Sequence, residues 1–483
     1  MNQNKVTSGL IWSFAERIAA QLVSTVVTII LARILDPEHY GVISIVTVFT
    51  TICNVFVTSG FGSAIVQKKE IDDLDLDTAF VASFVLAVAI YFFVYFMAPI
   101  LGQFYEMPEL VPVTRVMAFR IVLASMNTVQ QANVRRQMAF KRFFVATLSG
   151  TAISAVVGIA MALNGFGVWA LVGQYMTSTT IETIVMLFVG GWKPKFQFSL
   201  QRAKEIMSFG WKVLATDLVS TLGNDFRSLV VGKVFGATDL AFHDQGKRYP
   251  SLLVNNVNTA INKVMLPAYS QKQDDLAELK KMLRSSIQTG AFVLVPIMIG
   301  FAVVADTFVS LVLTDKWLAC VPYIQIFCLS YLTRPMETSC HQAILAIGKG
   351  EVALKIIVMI NIASLLSVIV AVFVFESVML VAVGSLLTTM VSFISFMYYA
   401  NKTIGYRTKE QLLDLVPTLI VAVVMGVVVR LTSVLPLGSF AMLVLQIGLG
   451  VAVYLLLGLS FKIPGSQVVV NILKHALKKK RIG

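Results

Sequence analysis

Charge is scarce in this chain. Only 13% of its 483 residues are Asp, Glu, Lys or Arg, about half the share found in soluble domains. That excludes an ordinary water-soluble globule, and a 57% hydrophobic content points to an all-α polytopic membrane protein. Acidic residues are scarcer than basic ones, 26 against 39, for a net charge of +13. In a membrane chain this excess predicts basic cytoplasmic loops, with no nucleic acid as partner. Cysteine is nearly absent too. Cys53, Cys320, Cys328 and Cys340 lie in apolar stretches without C-x-x-C spacing, which excludes a disulfide framework. The sequence has no G-x-x-x-x-G-K-[ST] phosphate loop, no H-E-x-x-H and no metal-spaced Cys/His cluster. ATP hydrolysis, metal chemistry and a bound cofactor are therefore not expected, and the chain does not read as an enzyme. A cleavable leader is not expected either: Glu16 and Arg17 interrupt the first apolar run and no A-x-A site follows.

What is present is apolar length. A span needs about 20 apolar residues, and the sequence accommodates about fourteen transmembrane helices. They group into an N-lobe of six spans (1–190), a linker (191–207) and a C-lobe of six spans (208–400). Two further spans (401–460) and a basic amphipathic tail (461–483) follow. Connections alternate between short, nearly uncharged ones, such as Asn164–Gly167, and basic ones. Arg135, Arg136, Lys141 and Arg142 mark one basic connection; Lys193, Lys195, Arg202 and Lys204 mark another. This one-sided bias predicts that both termini are cytoplasmic. Asp274–Arg284 reads as a short amphipathic helix between two spans. The tail Val468–Arg481 has the apolar half and basic end that suit anionic headgroups.

An internal repeat is visible. Trp12, Arg33, Asp36 and Gly41 are echoed by Trp211, Lys233, Asp239 and Ala241, and Val111-Pro112 by Val321-Pro322. The step is close to 200 residues, or six spans. An even number of spans predicts two lobes in the same orientation, related by a pseudo-twofold axis along the membrane normal.

Polar residues recur at helical spacing inside the apolar runs. Asp217, Thr221, Asn224, Asp225 and Ser228 share one face; Asp244, Arg248, Ser251, Asn255, Asn258 and Asn262 share another. Arg17, Arg120, Arg227 and Arg334 lie about 12–20 Å into the first, fourth, seventh and tenth spans at a rise of about 1.5 Å per residue. Asn127 and Gln131 extend the stripe below Arg120. Facing lipid, each Arg costs about 2.5–3.5 kcal/mol, so these residues face a protein interior or a wet cavity. A guanidinium keeps its charge and presents a planar fork of donors, the geometry a phosphate or pyrophosphate takes. The competing reading is internal pairing, Arg227 with Asp225 and Arg334 with Glu337. Lys247, Arg248 and Lys263 in the eighth span either extend a path for an anion or reach to headgroups. Asp217, Asp225 and Glu337 are the candidates for exchanging H+ or Na+, since a mid-span carboxylate does either.

Short segments along the chain resemble a known family. They include Gly9-Leu10-Ile11-Trp12-Ser13, Leu31-Ala32-Arg33-Ile34-Leu35-Asp36-Pro37-Glu38-His39-Tyr40-Gly41 and Asp77-Thr78-Ala79-Phe80. Met265-Leu266-Pro267-Ala268-Tyr269-Ser270, Pro296-Ile297-Met298-Ile299-Gly300 and Lys316-Trp317 continue the set. In this order they are similar to polysaccharide flippases of the O-antigen, colanic-acid and teichuronic-acid type (WzxC-like) within the multidrug/oligosaccharidyl-lipid/polysaccharide exporter superfamily. The resemblance implies two six-helix lobes plus two helices in the plasma (inner) membrane of a bacterium. It implies flipping of an undecaprenyl-pyrophosphate-linked oligosaccharide to the outer leaflet for surface polysaccharide or lipopolysaccharide synthesis, beside a polymerase and assembly proteins. Phe242-His243-Asp244-Gln245-Gly246-Lys247 is more charged than the Tyr/Asn-rich pattern of the family. A cation-coupled multidrug antiporter and a lipid II flippase of the same fold are the alternatives.

Overall fold

The computed structural model describes residues 3–68, 70–463 and 465–466, with side chains described from residue 19 onward except at 224, 260 and 262–264. Fourteen α-helices account for nearly all of it: α1 Gln3–Ile34, α2 Pro37–Gln67, α3 Asp73–Phe104, α4 Leu110–Arg136, α5 Phe140–Leu163, α6 Val168–Val189 and α7 Leu200–Ser270. Then come α8 Leu276–Val312, α9 Val321–Ser330, α10 Arg334–Ala346, α11 Gly350–Phe373, α12 Val378–Ile404, α13 Thr408–Leu431 and α14 Ser439–Ser460. Among the described residues, nine helices are long and apolar enough to cross a membrane. The protein is an all-α, multi-pass membrane protein, as its composition requires.

Local sequence fixes the breaks. Asp36 is extended and Pro37 opens α2, where its missing N–H costs nothing. Asp72 and Asp75 form a reciprocal capping box at the start of α3. Ser377 caps α12, and Gly405 ends it in the left-handed conformation. The Asp275 carboxylate accepts from the Ala277 and Glu278 amides and starts α8. The short helix expected over 274–284 is thus the first turns of α8 and not a separate element, because no breaker separates it from the span that follows. The expected seventh and eighth spans are the two arms of α7, 200–235 and 237–270, parted at Gly236, which has φ 87° and ψ 177°. The expected tenth span (321–346) divides differently: it is two helices, α9 and α10. Pro335 sits in the first turn of α10, where it cannot donate to a preceding turn.

The chain forms two compact units, Met1–Ala241 and Phe242–Gly483. In the first, Phe61, Leu76, Phe80, Val129, Trp192 and Ile206 make a buried core. The segment between α6 and α7 is strapped to this unit by its backbone. The Gln130 amide donates to the Trp192 carbonyl at 2.8 Å, the Lys195 N–H to Asp77 at 2.8 Å and the Ser199 N–H to the Thr78 hydroxyl at 3.2 Å. The arm 200–235 stays with the same unit. Gly210 meets Gly60 backbone to backbone, so closely that a Cβ on Gly210 would lie 2.6 Å from the Gly60 carbonyl oxygen. In the second unit, Tyr269, Leu283, Phe292, Met336, Phe396 and Tyr406 belong to a core that α13 and α14 join.

The step between corresponding helices is most regular in the fifth and sixth expected spans of each half. The helices α5 and α11 start at 140 and 350 and end at 163 and 373, and α6 and α12 start at 168 and 378, all a step of 210. Arg33 and Lys233 stand 200 apart. Much of the gain arises along α8, which has 37 residues where α3 has 32.

Candidate polar sites in the two units

In the first unit, the α4 stripe meets α6. The Arg120 guanidinium donates through Nε to Thr179 Oγ1 at 3.0 Å and lies over the Tyr175 ring, 4.9 Å from its centroid. Seven residues on, Asn127 Nδ2 donates to Glu182 Oε1 at 3.4 Å, and Gln131 Nε2 donates to the same oxygen at 3.1 Å. Arg135 closes the row with a 3.4 Å bond to Gln131 Oε1. Glu182 was missed by the stripe argument, which followed the arginines. Its signal is legible in the sequence: Thr177, Ser178, Thr179, Thr180, Glu182 and Thr183 crowd the sixth span, and a carboxylate there is costly enough to need partners. Beside this row lies a hollow of about 330 Å³ between α1, α5 and α6, lined by Gln21, Ser24, Thr151, Ser154, Gln174, Tyr175 and Ser178 among others.

In the second unit, Arg334 Nη1 lies 3.4 Å from Glu337 Oε2, so the pairing alternative holds at this position. Glu337 is buried and also accepts from Thr333 at 2.6 Å and Ser392 at 2.7 Å. Position in the helix explains part of this: Glu337 stands in the first turn of α10, where the helix dipole favours a negative charge. The Arg334 side chain keeps 43% of its surface exposed. It borders a second hollow of about 370 Å³, with Thr338, His341, Gln342, Thr389 and Phe396 on its walls.

The 210-residue step relates the two carboxylates. Asn127 corresponds to Glu337, and Glu182 to Ser392. Both pairs bridge the fourth and sixth helices of their unit. The corresponding contact therefore carries one carboxylate in each half, on opposite helices, with a neutral hydrogen-bond donor facing it.

Asp217, Lys247 and Arg248 are half-buried, and Asn255 is exposed. Asp225, Arg227 and Arg248 are each engaged in further interactions. The side chains of Arg17 and Lys263, like the tail 468–481, lie outside the described residues. An ion-pair cluster that the stripe argument did not anticipate ties down the start of α3. Buried Asp75 takes Lys68 at 2.7 Å and Arg202 at 3.3 Å, Asp72 takes Arg202 at 3.3 Å, and Asp73 takes Lys195 at 2.7 Å.

Comparison with known proteins agrees with this architecture. The chain is 22% identical over 442 residues to the lipopolysaccharide biosynthesis protein WzxC of Escherichia coli K12, covering 89% of each chain. It is 24% identical over 330 residues to the succinoglycan biosynthesis transport protein ExoT of Rhizobium meliloti, covering 68% of this chain and 67% of the other. Among solved structures, it superposes on the lipid II flippase MurJ in an inward closed conformation with a TM-score of 0.76 at 13% identity, covering 94% of this chain and 98% of that one. An inward-facing multidrug MATE transporter gives 0.63 at 17% identity, over 81% and 96%. These two likenesses establish the fold. The model of the family described as polysaccharide biosynthesis protein matches residues 30–322, more than half of the sequence, and the chain belongs to that family.

Proposed function

We propose that the protein moves a polyprenyl-pyrophosphate-linked oligosaccharide, of the undecaprenyl type, from the cytoplasmic to the outer leaflet of a bacterial plasma membrane. The two lobes alternate access to the substrate, and H+ or Na+ exchange drives the cycle. The observation that carries this reading is the Arg120 row: a permanently charged fork set among hydroxyls and amides inside apolar helices, in a chain of a polysaccharide biosynthesis family. Arg120, Asn127 and Gln131, with Arg17, Arg227, Arg334, Lys247, Arg248, Lys263 and Asn255, are proposed to line the substrate's route. Asp217, Asp225 and Glu337 are proposed for coupling. Both termini are cytoplasmic in this scheme, polymerase and assembly proteins act beside the protein, and the activity is transport without catalysis. A lipid II flippase is the second reading, favoured by the likeness of fold to MurJ. Deleting the gene separates the readings. A flippase of surface glycan leaves the lipid-linked repeat unit accumulating inside while peptidoglycan precursors and drug sensitivity stay unchanged. Accumulation of lipid II would select the second reading, and drug sensitivity alone would remove both.

A further inference from the structure

Unlike the hollow beside Arg334, the one between α1, α5 and α6 is lined by no charged side chain among the described residues. Its walls are Ala20, the amides of Gln21 and Gln174, the hydroxyls of Ser24, Thr151, Ser154 and Ser178, and Tyr175. Several of these hydroxyls already spend their proton inside the helix, Thr151 on the Thr147 carbonyl at 2.7 Å and Ser154 on the Thr151 carbonyl at 3.0 Å. Such an oxygen keeps lone pairs to accept from an incoming hydroxyl, while amides donate and accept. The inventory is acceptor-rich, neutral and close-set, in a space of about 330 Å³. That chemistry fits an uncharged polyol ring. Tyr175 supplies the second observation. It lines the hollow, and Arg120 stacks on its ring. One aromatic side chain is thus shared by a neutral hydroxyl-binding hollow and a cationic fork. A molecule that joins a phosphate directly to a sugar presents the same pair of features side by side.

We propose that this hollow seats the sugar ring attached to the pyrophosphate, while Arg120 takes the phosphate, so that α1, α5 and α6 distinguish a glycosylated carrier from a bare one. This rests on the flippase reading and adds to it a sugar subsite within the first unit. Ser178 and Thr151 are specificity residues in this scheme.

The test uses the purified full-length protein in nanodiscs. Short-chain prenyl pyrophosphate is titrated bare and esterified to glucose, galactose or N-acetylglucosamine. In the wild type at least one of the three sugars tightens binding about tenfold, the scale of one to two hydrogen bonds made in a buried site. In a Thr151→Val/Ser178→Ala variant, the bare pyrophosphate binds as before and the sugar's gain falls below about twofold. Thr151→Ser/Ser178→Thr keeps the hydroxyls and keeps the gain, which separates hydrogen bonding from simple misfolding. A wild type that binds bare and glycosylated pyrophosphate equally overturns the subsite, and so does a gain that survives the double variant or a loss shared equally by bare and glycosylated ligands. A protein that binds neither ligand overturns the flippase reading itself.

Discussion

Asp75 illustrates how one side chain is placed by competing terms. Burial alone pushes its carboxyl pKa up. The hydrogen bonds from Lys68 and from the Asp72 amide, with the charges of Lys68 and Arg202, outweigh burial and hold it below the ordinary carboxylate range. The sign of the pH effect follows. Asp75 contributes stability that is fully present above the unfolded carboxyl pKa of about 3.9 and lost as pH falls through the lower folded value. Asp75→Asn should therefore lower stability by about 1.5–3 kcal/mol near neutral pH, the range for hydrogen bonds to a charged group, and flatten its decline below about pH 4. Thermal unfolding in detergent from pH 7 to pH 3 reads both effects. A variant that declines as steeply as wild type in acid would show that other carboxylates control the transition. At this scale the sequence was informative about type and silent about partners. The acidic run Glu70, Asp72, Asp73, Asp75 and Asp77 is plain in the sequence, but the partners Lys195 and Arg202 lie more than a hundred residues away. The same limit hid the acceptor of Asn127 and Gln131.

Among the helices, α7 carries the most unusual junction. Gly236 has φ 87° with ψ 177°, a region that only glycine enters freely, and a Cβ there would meet nothing within 4 Å. Any penalty on substitution is therefore conformational. Gly236→Ala should destabilise the protein by about 1–3 kcal/mol. Asn, which tolerates the left-handed helical region but not this one, should be no better than Ala. Unfolding midpoints for the three proteins test this, and rescue by Asn would show that the junction is left-handed helical instead. Element length and order were largely readable from apolar runs and from punctuation such as Asp36-Pro37 and Ser377. Apolar length does not reveal the division of the tenth span, because a proline in the first turn of a new helix looks locally like one kinking a continuous helix.

For the whole molecule, the alternation of basic and uncharged connections is a statement about which side each faces. Asn164 and Gln197 are both exposed, on connections of opposite kinds, and three of the four native cysteines are buried. In intact cells, an impermeant maleimide should label Asn164→Cys and miss Gln197→Cys until the cells are opened. The reverse pattern would invert the topology. The grouping of helices carries a different lesson. The repeat assigns the helix after the linker to the second lobe, whereas the compact unit that ends at Ala241 contains the arm 200–235. Sequence similarity records which helices correspond. Packing records which helices touch, through backbone contacts such as Gly60 to Gly210 that no pattern of residue types announces.

Sequence alone determined the class of this protein and its membrane character, because burying backbone in lipid demands long apolar helices whatever the neighbours are. It also determined that arginines and amides would avoid lipid. Tertiary structure decided which distant partners they found: Glu182 for Asn127 and Gln131, and Asp75 for Arg202. These pairs join residues 50 to 130 positions apart, and hydrogen bonds and ion pairs depend on distances of a few ångströms. A helical period fixes the face a side chain shares, and only the packing of one helix on another fixes what stands opposite it.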